Sequence, residues 1–300
     1  IVGREADALG VSQVFAPGLD VTRGARFGRS AESYSEDATL VSAMGTAYTR
    51  GVQENQQNVR VRAVAKHFLG YHASSNGIHA ASLNIPERDI REVFAKPFQA
   101  AIAEADLKGV MPSYNSLNGE AISGSKTYLT GLLRDEVGFE GVTVADYGAI
   151  TEMYTRQDVA ENESKAGLLA MQAGMDIELP NKVCMNEGLQ EMFAAGKADI
   201  ALLDKAVLRV LTAKFDMGLF ENPYALTGDE LSNMFFQNED KQVSLRSAQE
   251  SLVLLKNNGV LPVNPDKFKG KKIAVIGYHA NTIRTFFGGY TYMSFTEARY

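Results

Sequence analysis

Asp146 stands one residue beyond Val142-Thr143-Val144, a short β-branched run suited to a strand buried on both faces. In a parallel α/β fold, ligands and chemistry sit at the C-terminal ends of strands, so an acid in that place is positioned for reaction. The same spot would suit an N-cap for a helix opening at Gly148-Ala149. Lys66-His67 lies at the end of a second strand-like run, residues 61–68. A strand-end lysine can form a Schiff base, as in barrel aldolases, or carry a salt bridge beside a core histidine. Side chains alternate across a strand, so both residues reach one site only if the strand end bends. Arg26 and Arg29 lie in a loop after an earlier strand, followed by Glu32, Glu36 and Asp37. Guanidinium groups there can grip hydroxyls through fixed, directional donors, or hold the loop through Arg–Glu pairs. Tyr114 ends a further strand-like run, where a phenol either packs at a rim or hydrogen-bonds a reacting group.

These residues need a frame that gathers strand ends. Apolar residues at helical spacing mark helices at 40–53, 90–105, 162–173, 189–195 and 202–215, and a helix tail at 5–9 is ended by Gly10. Leu132, Leu133 and Val137 fit one apolar face of a helix that Gly138 terminates, and Gly141 releases the chain into the Asp146 strand. Strand-like runs at 11–16, 61–68, 109–114, 142–144 and 175–179 alternate with these helices. The alternation predicts an α/β fold of the TIM-like (β/α)8 barrel type. A whole barrel takes about 250 residues and eight strands, so this one is expected to be incomplete, with its first strands before Ile1. Residues 1–222 are read as the C-terminal part of a catalytic barrel and 223–265 as a linker with a helix at 243–256. Residues 266–300 are read as the beginning of a second α/β sandwich domain, opened by a buried strand at 271–277. Gly277 is followed by Tyr278-His279-Ala280, so the Gly-x-Gly-x-x-Gly fingerprint of a dinucleotide site is absent.

The 300 residues are 45% hydrophobic and 22% charged, enough for a sizeable core. The net charge is -6 with acids and bases interspersed, which suggests neither a nucleic acid nor a membrane as partner. No apolar run approaches the roughly 20 residues of a membrane span. Cys184 is the one cysteine, so no internal disulfide can form. His67, His72, His79 and His279 lack a metal-site pattern such as His-Glu-x-x-His, and no metal or other cofactor is expected. The chain opens Ile1-Val2-Gly3 and its N-terminus is read as cut, so a signal peptide is neither present nor excluded. Nothing in the sequence sets an oligomeric state.

Residues 132–149, LLRDEVGFEGVTVADYGA, resemble the nucleophile signature of glycoside hydrolase family 3. That signature is two aliphatics, a base, an acid two further on, then Gly, three apolar-type residues, a small residue and Asp. Ala145 stands where Ser is usual, and Tyr147 where Trp is usual. Arg26-Phe27-Gly28-Arg29 with Glu32 is similar to the family's Arg-aromatic-Gly-Arg loop, and Lys66-His67-Phe68 to its Lys-His-Phe strand end. Met111-Pro112-Ser113-Tyr114-Asn115 with Asn118-Gly119 matches its Met-x-x-Tyr-Asn-x-x-Asn-Gly run. The similarity extends from Val11 to about Ser294.

The resemblance implies a retaining exo-β-glycosidase, expected to be a β-glucosidase, with an oligosaccharide or β-glucoside as substrate. Asp146 would attack the anomeric carbon and form a glycosyl ester. Arg29, Lys66 and His67 would bind hydroxyls of the non-reducing sugar, Tyr114 would point toward the nucleophile, and Met111 and Tyr147 would line the sugar. The second carboxyl comes from the second domain in two-domain members, beyond Tyr300. The family often places an Arg in the loop after Lys-His-Phe. None occurs here between Arg62 and Arg88, so that contact is missing or falls to His72, Asn76 or His79. A β-N-acetylglucosaminidase of the same family would use His79 as acid/base with an Asp two residues before it, where this chain has Gly77; Leu69 also replaces the usual Pro. The remaining readings are a Lys66 Schiff-base aldolase and a non-catalytic sugar-binding protein. The resemblance inclines the setting toward periplasmic or secreted.

Overall fold

A computed structural model describes residues 1–54, 60–282, 287, 288 and 291. Ser294, the far end of the resemblance, lies outside them. The chain divides into two units, Ile1–Lys241 and Gln242–Tyr300, within the segment read as a linker.

The first unit is built on a parallel sheet of β1 (Gln13–Val14), β2 (Arg62–Phe68), β3 (Gly109–Pro112) and β6 (Val142–Thr143). A small antiparallel hairpin, β4 (Ser116–Leu117) with β5 (Glu120–Ala121), follows β3. The order in the parallel sheet, β1-β2-β3-β6, is the order in the chain. A doubly wound sheet reverses its order at a switch point; an order that never reverses carries every helical crossover the same way round, as in a barrel. The expected strand at 175–179 joins the β6 edge through the bridge Val144–Ile177 and through the Asp176 and Ile177 N–H groups, both bonded to the Thr143 carbonyl (3.1 and 3.2 Å). Two further hydrogen bonds reinforce it, from the Ala145 N–H to the Ile177 carbonyl (2.9 Å) and from the Gly148 N–H to the Leu179 carbonyl (3.0 Å). The fold is α/β, an arc of a TIM-like barrel.

Period-two alternation sorts the strand side chains. Ala63, Ala65, Val110 and Ala145 pack into the larger apolar core, together with Val41 and Val52 of the helix Ala38–Gln53 and Phe98 and Ala101 of the helix Lys96–Ala105. Val64, Met111, Val142 and Val144 form a second cluster with Phe15, Ile177, Val210 and Ala213. Glycine permits the tightest strand approach. A Cβ on Gly141 would lie 2.2 Å from the Lys108 carbonyl oxygen, so this residue serves close packing against the neighbouring strand.

Helix starts follow their capping residues. Asp37, Asn162, Asn186 and Asp199 each accept a backbone N–H from the first turn of the helix they open. The helix expected at 90–105 is instead a π-type segment, Ile90–Phe94, followed by Lys96–Ala105. Pro97 has no N–H to offer the Val93 carbonyl, and the Ala95 N–H bonds back to Ile90 at 2.7 Å. The helix Thr127–Glu136 ends at Gly138 (φ 81°) as expected.

Asp176 ties the edge of the sheet to two helices. Its carboxylate accepts the Thr143 N–H (2.9 Å) and hydroxyl (3.0 Å), Arg134 at 3.2 Å and Arg209 at 2.6 Å. Burial holds the Arg134 guanidinium down to about 10 although Asp176 faces it. Replacing Asp176 with Ala leaves two buried or half-buried cations without their counter-charge. In the full-length protein it should cost about 3–5 kcal/mol, read as a fall in the denaturant midpoint of the unit containing the sheet.

In Gln242–Tyr300 the expected strand at 271–277 is not formed. Ile273, Val275 and Ile276 are 77%, 73% and 90% exposed, and a strand needs neighbours to pair its backbone. The helix expected at 243–256 is Asn238–Glu250, which spans the division between the units. No helix among the described residues is long and apolar enough to cross a membrane.

Candidate active site

Strand alternation brings the reactive candidates to one side. Lys66 stands two residues past Val64, and Asp146 two past Val144, so both leave the strand ends on the face of the second cluster. The β2–β3 register shifts between Lys66 and Phe68, which takes His67 out of the ladder. This is the bend that lets Lys66 and His67 serve one site.

Asp146 does not cap the next helix. Gly148 (φ 73°) holds the N-cap position of Ala149–Thr155, and Asp146 Oδ1 accepts the adjacent Tyr147 N–H at 2.7 Å. Asp146 Oδ2 is buried, has no hydrogen-bond partner among the described residues, and lies 3.4 Å from His67 Nε2.

Cationic groups converge beside it. Arg29 grips Glu32 through two contacts, 2.6 and 2.8 Å. The same guanidinium lies 3.1 Å from His67 Nε2 and donates to the Tyr71 hydroxyl at 3.3 Å. Burial works against its charge, but Glu32 and Tyr71 outweigh that and raise its pKa. Lys66 Nζ is 3.8 Å from Glu32. Burial lowers the Lys66 pKa, with Arg29 adding to the effect and Glu32, Asp146 and Asp20 opposing it. Glu32, read in the sequence as a loop-holding partner, thus anchors the cationic side of the site.

Tyr114 donates its hydroxyl to the Tyr147 carbonyl at 3.1 Å. Burial and the nearby Asp146 charge push this phenol well above its ordinary range, so it stays a proton donor. The Tyr147 side chain itself is 58% exposed at the rim. Met111 is 2% exposed, packs with Val64, Val142 and Val144, and stands opposite Lys66 in the β2–β3 register. His67 is 1% exposed. Its Nε2 edge meets Arg29 and Asp146.

The loop substitutes for the absent Arg fare differently. His72 is enclosed, with Thr22 2.6 Å from Nδ1, and burial lowers its pKa. Asn76 is exposed in a short turn. His79 is half-exposed between the Tyr71 hydroxyl (2.6 Å from Nδ1) and Glu152 (3.7 Å from Nε2). Asn115 and Asn118 are structural: Asn115 bonds Ser74 (2.9 Å) and the Ala81 carbonyl (2.5 Å), and Asn118 pairs with both backbone groups of Ile85.

Sequence reasoning missed two residues of this cluster. Tyr71 is fully buried, with its ring against Phe27, His67 and Tyr114 and the Arg29 guanidinium 5.3 Å from its centre; burial pushes its phenol up to about 12. Its one signal was an aromatic beside the turn glycine Gly70 (φ 80°). Asp20 is 3% exposed beside His67. Burial raises its pKa, but His67 and His72 outweigh burial and leave it lowered. Asp20, His67 and His72 place three possible ligand atoms within 4.8 Å of one another, a grouping that could hold a cation. Here Asp20 and Arg29 already occupy the two ring nitrogens of His67, and Arg29 and Lys66 would repel a further positive charge. A larger apolar cavity of about 650 Å³, lined by Leu189, Phe193, Leu203, Val207 and Leu211, contains none of these residues.

A strand-end carboxylate with an unpartnered oxygen, faced by Arg, Lys, His and Tyr, is a candidate active site at the C-terminal end of a barrel strand. Residues 1–213 match the family described as Glycosyl hydrolase family 3 N terminal domain, and the chain belongs to that family. A beta-xylosidase of Formosa agariphila is 36% identical over 300 residues, covering 96% of this chain and 41% of that protein. A periplasmic beta-glucosidase of Salmonella typhimurium is 33% identical, covering 96% of this chain and 38% of that protein. The crystal structure of a beta-glucosidase from Listeria innocua matches with TM-score 0.80 at 33% identity, over 86% of this chain and 37% of that one. The chain therefore spans about two-fifths of the length of the relatives it matches.

Proposed function

We propose that this chain carries the nucleophile and the sugar-orienting groups of a retaining exo-β-glycosidase acting on terminal β-linked glucose or xylose. The observation that carries the reading is the buried, unpartnered Asp146 Oδ2 beside the Arg29–Lys66–His67 cluster. Relatives named beta-glucosidase and beta-xylosidase support the substrate class. Asp146 Oδ2 attacks the anomeric carbon, the glycosidic bond breaks, and the leaving oxygen takes a proton from a second carboxyl; water then displaces the ester with that carboxyl as base. The second carboxyl is assigned to no residue of this chain. Arg29 and Lys66 orient hydroxyls and place positive charge on the Asp146 side of the pocket. Tyr114 supplies a hydroxyl that stays protonated beside the reacting centre. His79 does not draw the reading toward an N-acetylglucosaminidase, because both its ring nitrogens face protein partners.

The test is the first-formed product. Full-length protein incubated with aryl β-glucosides and β-xylosides and followed by proton NMR should release the β-anomer first. Release of the α-anomer overturns retention, and no hydrolysis of either substrate overturns the glycosidase reading.

A further inference from the structure

Asp20 reaches the site by strand pairing. The segment after β1 continues along β2: the Lys66 N–H bonds the Pro17 carbonyl (2.9 Å), and the Leu19 N–H bonds the Lys66 carbonyl (2.5 Å). This sets the next residue, Asp20, against His67. Asp20 Oδ2 accepts both the His67 backbone N–H (3.1 Å) and Nδ1 (2.8 Å), while His72 Nε2 stands 3.5 Å from the same oxygen. Both side chains are 1% exposed, so water does not compete for these bonds. On the other edge of the ring, Arg29 Nη2 is 3.1 Å from Nε2. A guanidinium only donates, so Nε2 accepts and the ring proton sits on Nδ1, pointing at Asp20. The proton assignment follows from the two neighbours together.

We infer that Asp20 is a positioning residue that fixes the orientation and tautomer of His67 and so presents the His67 Nε2 lone pair to Arg29 and the reacting side of the pocket. A carboxylate that takes two N–H groups of one residue leaves that ring neither of its usual freedoms, to flip or to exchange its proton between nitrogens. Asp20 touches no substrate; its effect passes through His67. The inference rests on reading this cluster as a glycosidase site.

The test is a double-mutant cycle in the full-length protein, with kcat/KM measured on an aryl β-glycoside. Asp20→Ala should lower kcat/KM about 10- to 100-fold, as for other partners that orient a functional histidine. Asp20→Asn keeps an acceptor for the same two N–H groups and should lose less than about tenfold. Neither change should lower the activity of a His67→Ala variant by more than about threefold, because the effect has lost its carrier. Losses that multiply on the His67→Ala background overturn the inference, as does an Asp20→Ala variant as active as wild type. If Asp20→Ala does not fold, Asp20→Asn decides: a hundredfold loss, or a loss that carries over to the His67→Ala background, also overturns it. A crystal structure of a folded Asp20 variant separates the two levels of the argument. Wild-type protein inactive on every β-glycoside sinks the reading of the site, whereas a His67 ring unmoved in Asp20→Ala, with its Arg29 contact intact, sinks the positioning role.

Discussion

Asp146→Asn should lower kcat about 10⁴-fold or more, the scale of losing a covalent nucleophile, while leaving the protein folded. An amide keeps the shape of the carboxylate but cannot attack the anomeric carbon. The bond Asp146 Oδ1 makes to the Tyr147 N–H survives if the amide oxygen takes its place, and Oδ2 has no partner to lose among the described residues. Stability should therefore change little, and sugar binding, which the proposed function assigns to groups other than Asp146, should persist. In wild-type protein a 2-deoxy-2-fluoro glycoside with a good leaving group should form its ester quickly and release it slowly. Digestion and mass spectrometry should find the sugar on the peptide containing residues 141–147. A label on another carboxylate removes Asp146 from this role.

Lys66→Ala and His67→Ala should each lower kcat/KM by about 10²- to 10⁴-fold, the range for lost hydrogen bonds to a transition state in an enclosed site. Lys66 balances Glu32 together with Arg29, and its removal leaves Arg29 the remaining named cation against that carboxylate. His67 holds the end of Arg29 nearest Asp146. Kinetics alone do not separate sugar binding from Schiff-base chemistry, because burial lowers the Lys66 pKa as it does for amine nucleophiles. Borohydride treatment with substrate present does. No reduced adduct is expected on Lys66, and one found there would move the assignment to an aldolase.

The parts of this site legible in the sequence are those that one strand carries by itself. Val142 to Val144 announce a buried strand, and alternation then places Asp146 on the same face as Val144. The same rule joins Lys66 to Val64. The turn at Gly138 was equally local, since it depends on residues within one turn. Local pattern misjudged places where a neighbour decides. Pro97 splits a helix whose apolar spacing alone is continuous. Residues 271–277 have a strand's composition and remain exposed, because composition supplies no partner for the backbone.

The sequence by itself determined the class of fold, the strand ends that bear acid and base, and the family. Periodicity, β-branching and motif spacing are properties of short segments and need no knowledge of what lies across the sheet. Only the tertiary structure decided how the site is held. Asp20 meets His67 from 47 residues away, Arg29 meets Tyr71 from 42, and Gln157 meets the Tyr114 carbonyl from 43. The first of these contacts depends on the register of β2 and on its irregularity between Lys66 and Phe68, and a shift of one residue there would send His67 to the opposite face.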